Sequence, residues 1–90
     1  MRAAKVDANQ KEIVAALRAV GATVQHLHMV GRGCPDILVG YSGKNYLIEI
    51  KTVRGELTPQ EGRFIADWRG QVCVIRTIRG ALEEIGAAWG

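Results

Sequence analysis

The chain has 90 residues, 48% apolar and 23% charged, the make-up of one ordinary globular domain. That composition excludes collagen-like, coiled-coil and wholly disordered chains. No apolar run reaches the roughly 18–20 residues of a membrane span, and the polar start MRAAKVDANQKE lacks the apolar stretch of a secretory signal. Twelve basic residues against nine acidic give a net charge of +3, and the stretch 80–90 carries only Glu83 and Glu84. The basic excess therefore lies in the body of the chain, which suits a phosphate-rich partner without requiring one. Cys34 and Cys73 are too few for a disulfide framework and lack zinc-finger spacing. A cytoplasmic, reducing setting is expected.

Residues 7–20 are predicted to form a first helix. Asp7 or Asn9 can cap it, Ile13, Val14, Ala16, Leu17 and Val20 share one face, and Gly21 stops it. Residues 23–29 (TVQHLHM) have strand composition, and GRGCP (31–35) is a loop. DILVGY (36–41) and YLIEIKT (46–52) are predicted strands joined by a hairpin turn at Ser42-Gly43-Lys44-Asn45. Thr58-Pro59 followed by Glu61 is a helix-start signature. That helix is expected to run to about Trp68, with Phe64, Ile65 and Trp68 on its apolar side, and to end at Gly70. VCVIRT (72–77) reads as a fourth strand, and 79–88 as a short last helix with Leu82, Ile85 and Ala88 inward. The order α-β-β-β-α-β-α predicts a single α/β domain over residues 1–90, with the fourth strand parallel to the third in a mixed sheet.

Asp36 and Glu49 are the acids that bear on chemistry. Strand periodicity puts Glu49 and Lys51 on one face. A turn at 42–45 sets Tyr41 opposite Tyr46, Asp36 near Lys51, and Glu49 on the diagonal, to within about one residue. Two adjacent carboxylates repel unless a cation lies between them. Oxygen ligands with open coordination positions suit Mg²⁺ or Mn²⁺, which can polarise a phosphoryl oxygen and acidify a bound water. Lys51 could orient that water or neutralise charge building on the phosphorus. A Glu and a Lys two apart on a strand are more often a solvated face. Here they interrupt an otherwise apolar hairpin.

Pro35-Asp36, twelve residues, then Glu49-Ile50-Lys51 resembles the PD-(D/E)xK nuclease motif. The wider string GRGCPDILVG…NYLIEIKTVRGELTPQE resembles the VRR-NUC branch of that superfamily, especially its small stand-alone, phage-type members. The likeness spans roughly residues 10–79. It implies a restriction-endonuclease-like α-β-β-β-α-β core with a mixed sheet and a short C-terminal helix. It also implies that Asp36, Glu49 and the backbone carbonyl of Ile50 ligate Mg²⁺ or Mn²⁺ and that Lys51 is the catalytic lysine. Glu12 resembles an additional acid that many members contribute from the first helix, and Gln60 a polar residue on the helix after the motif. The label motif Val-Arg-Arg is present only as Val53-Arg54-Gly55.

Candidate phosphate contacts are Arg32, Lys44, Arg54, Arg63, Arg76 and Arg79, with Arg32 and Arg54 flanking the motifs. His26 and His28 are two apart and more often structural than a metal pair, and Cys34 more often packs than attacks. The expected activity is a Mg/Mn-dependent endodeoxyribonuclease acting as a homodimer on branched DNA such as Holliday junctions. The alternatives are a non-catalytic DNA-binding or assembly module of the same fold, an RNA-directed nuclease, or a small α/β protein whose acids form surface salt bridges.

Overall fold

A computed structural model of the protein describes residues 8–87. Asp7 and Ala88, to which the sequence assigns a cap and a core contact, lie outside the described residues. The elements follow the predicted order: α1 (Gln10–Ala19), β1 (Thr23–His26), β2 (Ile37–Tyr41), β3 (Lys44–Ile50), α2 (Pro59–Asp67), β4 (Cys73–Ile75) and α3 (Ile78–Glu84). The sheet order is β1-β2-β3-β4, with β1, β2 and β3 antiparallel in sequence and β4 parallel to β3. The parallel pairing follows from the α2 crossover.

Ile37, Val39, Ile48 and Ile50 alternate onto one face of the hairpin and are fully buried. They meet Ile13, Val14 and Leu17 of α1 and Ala81, Leu82 and Ile85 at α3. Burying one such side chain is worth about 1.5–3 kcal/mol, so this face holds most of the fold's apolar stabilisation. The other face is thinner. α2 has no buried residue, and Trp68 at its C-cap is 47% exposed, so the predicted apolar side of this helix lies along the sheet without sealing it.

Each helix start has its own solution. Thr58 and Glu61 form a reciprocal capping box at α2: Glu61 N donates to Thr58 Oγ1 (3.2 Å), and Thr58 N donates to Glu61 Oε1 (2.8 Å). Thr77 Oγ1 caps α3 by accepting from Gly80 N at 3.0 Å. Asn9 stands at the N-cap of α1 but makes no cap bond. Its Nδ2 donates instead to Lys51 O and Arg76 O, both at 3.0 Å. One amide thus ties α1 to the ends of β3 and β4.

Several boundaries and the hairpin register depart from the sequence reading. The turn is two residues long. Ser42 (φ 53°) and Gly43 (φ 79°) both take the positive φ of a type I′ turn, so Lys44 and Asn45 belong to β3. Tyr41 therefore pairs with Lys44, and Val39 with Tyr46. Continuing that register sets Asp36 across from Glu49, not Lys51. β1 stops at His26, because after the bond from Leu27 N to Asp36 O (2.8 Å) the chain turns at Leu27–Val30. β4 and α3 are likewise shorter than predicted.

Candidate active site

The corrected register builds the site. Asp36 precedes the first residue of β2, and its Oδ2 accepts a hydrogen bond from Ile50 N at 2.7 Å. That bond holds the Asp36 carboxylate beside β3, against the backbone next to Glu49. Glu49 projects to the face opposite the isoleucine core and is 2% exposed. Lys51, two residues on, projects the same way, with its Nζ 3.8 Å from Glu49 Oε2.

A fourth charged group enters from α2. Glu61 Oε1 lies 2.8 Å from Lys51 Nζ, so the oxygen that caps the helix also holds the lysine. Sequence reasoning assigned Glu61 to the cap alone. The capping box itself was the available signal, because it fixes the side chain's direction at the end of the helix nearest the hairpin.

The electrostatics follow from this crowding. Burial, then Asp36, then Glu61 push the Glu49 carboxyl up to about 9, with Lys51 pulling it back only in part. Burial also pushes Glu61 up, but hydrogen bonds from Lys51 and Thr58 outweigh it and leave its carboxyl below the ordinary value. Burial together with Glu49 and Asp36 raises the Cys34 thiol, which keeps it neutral and unlike an activated nucleophile. Carboxylates of opposite tendency thus lie beside one buried lysine.

A solved structure described as "VRR_NUC domain" superposes on the chain with a TM-score of 0.68 and 26% identity, covering 89% of this chain and 92% of that one. Over nearly its whole length the chain is similar in fold to that VRR-NUC domain. No protein-family model and no curated protein sequence matches the chain.

The remaining predicted site residues divide between two ends of the domain. Arg32 and Gln60 line one cleft beside α2, with Arg63, Phe64, Asp67 and Trp68. Gly33 (φ 77°) packs so tightly on the Gln60 carbonyl that any Cβ there would collide with it, which ties the Arg32 loop to α2. Arg54 is exposed on the loop after Lys51. Arg76 Nη1 is engaged within the fold: it donates to Thr52 O (2.7 Å), Gly55 O (2.6 Å) and Val53 O (3.4 Å), bracing that loop.

Two residues are not brought to the acids. Lys44 begins β3 and lines a hollow with Glu83 and Glu84, about 20 Å along the strand from Ile50. Glu12 is exposed, in a cleft with Asn9, Thr52, Arg76 and Arg79. Helix phase explains this. Gln10, Ile13, Val14 and Leu17 form the inward stripe, which turns Glu12 outward. The polar side chain that α1 buries is Gln10, whose Nε2 lies 3.4 Å from His26 Nδ1. The His26 and His28 rings sit edge-to-face, 6.0 Å apart. Among the described residues, no three His, Cys, Asp or Glu side chains converge as a ready-made metal cage.

Proposed function

We propose that this VRR-NUC-like domain is a Mg²⁺- or Mn²⁺-dependent endonuclease that hydrolyses phosphodiester bonds of DNA. The observation that carries the reading is the pairing of Asp36 with Glu49 at one end of the hairpin, with Lys51 Nζ 3.8 Å from Glu49. The donor set fits such an ion. It consists of two carboxylates and the carbonyl of Ile50, which follows Glu49 in sequence, all hard oxygens, and leaves coordination positions for water and phosphate. The high pKa of Glu49 marks negative charge that the protein's own residues leave under-neutralised. A bound divalent ion supplies a Lewis acid for the phosphoryl oxygen and acidifies a water.

The chain's own groups do the rest. Asp36, pinned by Ile50 N, and Glu49 orient the attacking water. Its oxygen bonds to phosphorus as the P–O ester bond breaks and the leaving oxygen takes up a proton. Lys51 hydrogen-bonds to a non-bridging oxygen and offsets the charge that grows there. Glu61 keeps the Lys51 ammonium at the acids before DNA arrives.

The finer reading is selectivity for branched DNA by a homodimer whose two sites, related by a two-fold axis, cut opposing strands. No helix among the described residues is long and apolar enough to cross a membrane, and a cytoplasmic setting fits the two free cysteines.

The test is cleavage of duplex, flap, splayed-arm and four-way substrates with and without Mn²⁺. Asp36→Ala and Lys51→Ala are each expected to lower cleavage at least a hundredfold, on the scale of losing one charge-stabilising group. Undiminished cutting by either variant overturns the mechanism. Equal rates on all four substrates overturn the branched-DNA preference.

A further inference from the structure

The cleft on the outer side of α2 is not explained by the hydrolytic site. It has a volume of about 570 Å³ and is lined by Arg32, Gln60, Arg63, Phe64, Asp67 and Trp68. That volume lies within the ~300–1,000 Å³ typical of small-ligand sites. Five of the six residues fall at i, i+3, i+4, i+7 and i+8 from Gln60, so they form one continuous helix face. The sixth, Arg32, is a non-glycine residue at φ 59°, held by the loop whose Gly33 is pressed on Gln60.

The aromatic pair is unusual for an exposed surface. Phe64 and Trp68 stack at 5.1 Å with an interplanar angle of 17°, and Trp68 remains 47% exposed. The indole is fixed: Trp68 Nε1 donates to Gln71 O at 3.1 Å. The same two rings also border an apolar hollow lined by Leu27, Val30, Leu38 and Leu47. A rigid, partly open aromatic stack flanked by two guanidinium groups matches a nucleotide, base on ring and phosphate on arginine. A solvated face would not need the indole anchored. Gln60 adjoins Glu61, which holds Lys51, so the cleft lies one residue along the helix from the site.

We infer that this cleft takes an unpaired nucleotide of the DNA substrate, its base stacked on Trp68 and its flanking phosphates on Arg32 and Arg63. The inference rests on the nuclease reading and deepens it. A stacking platform beside the hydrolytic site admits a base that has left the duplex, so strand separation near the cut becomes the feature recognised. Gln60 and Asp67 supply polar groups for the edge of that base. Stacking is tolerant of base identity, so recognition is of unpairing, not of sequence.

The experiment measures binding without divalent ions, so that no cleavage is needed. Labelled splayed-arm DNA and a fully paired duplex of equal length are titrated with the full chain and followed by anisotropy. Trp68→Ala is expected to weaken splayed-arm binding about fivefold to a hundredfold, the loss of one stacked base, and to change duplex binding less than twofold. Trp68→Phe is expected to restore most of the difference. Arg32→Ala is expected to reduce the salt dependence of splayed-arm binding by about one phosphate contact. In a Trp89→Phe background, Trp68 fluorescence is expected to be quenched by the splayed arm and not by duplex. Equal losses on both DNAs, wild-type affinity in Trp68→Ala, or unquenched Trp68 overturns the inference while leaving the nuclease reading intact. Wild-type protein that binds neither DNA overturns both.

Discussion

At the scale of single residues, the site depends on charge held out of water. Glu49 has its folded carboxyl raised to about 9 against an ordinary 4.5. For an acid, a raised folded pKa means that the native state binds the proton more tightly than the unfolded chain. This group's contribution is therefore fully present below about pH 4.5 and is lost as pH rises toward 9. Metal-free protein is expected to lose thermal stability across that window. Glu49→Gln should flatten the slope, and added Mg²⁺ or Mn²⁺ should stabilise the wild type more as pH rises. A melting temperature independent of pH between 5 and 9, equal in wild type and Glu49→Gln, contradicts the electrostatic account. Glu61 acts in the opposite sense and in a different window, below its ordinary value, because its folded carboxyl is depressed. It also serves two partners through one oxygen. Glu61→Gln keeps an acceptor for Thr58 N but loses the charge facing Lys51, whereas Glu61→Ala loses both. Denaturant titration is expected to show a loss of about 1 kcal/mol for the alanine variant and clearly less for glutamine, the scale of a helix cap. DNA cleavage is expected to fall in both.

At the scale of elements, the site is assembled where three of them end together. Asp36 comes just before β2, Glu49 and Lys51 flank the last residue of β3, and Glu61 lies in the first turn of α2. α1 is anchored to the same place by Asn9, whose amide reaches the carbonyls of Lys51 and Arg76. Asn9→Ala is expected to cost about 1–3 kcal/mol in urea denaturation, two hydrogen bonds at ~0.5–1.5 kcal/mol each. Because the lost bonds hold the β3 end that carries Lys51, cleavage is expected to fall by more than the change in folded fraction explains. A stability loss of a few tenths of a kcal/mol would mean that α1 is held by its apolar stripe alone. Helix starts were legible from Thr58-Pro59 and the following Glu61, since capping is local chemistry. The Asn9 clamp was not, because its acceptors lie 42 and 67 residues away in sequence.

At the scale of the whole molecule, the two faces of the sheet have different tasks. One is closed by α1 and α3 and carries the isoleucine core. The other carries Glu49 and Lys51, and among the described residues α2 and the loop before β2 lie over it. Apolar residues remain outside on the described surface: Met29 is 81% exposed, Val53 72% and Val30 62%. Singly exposed apolar residues are ordinary on a protein surface, so the proposed dimer is decided by the oligomeric state. Sedimentation at micromolar concentration is expected to give about twice the 9.8 kDa chain mass. A monomer that still binds and cuts DNA would remove the dimer from the mechanism.

The amino-acid sequence by itself determined the order of elements, the parallel fourth strand, the capping box and the motif residues Asp36, Glu49 and Lys51. Each of these is written in local pattern: a 3.6-residue or two-residue apolar period, a cap signature, or a charge interrupting an apolar strand. Tertiary structure decided the rest. Whether Ser42-Gly43 turns in two residues or four shifts the register by two positions, and that shift alone sets Asp36 against Glu49. Helix phase against the sheet decided that α1 turns Gln10 inward and Glu12 outward. The packing of α2 decided that Glu61 meets Lys51 while Gln60 and Trp68 open a separate cleft. These are contacts between segments distant in sequence, and no local preference encodes which side chain will face which across the space between two elements.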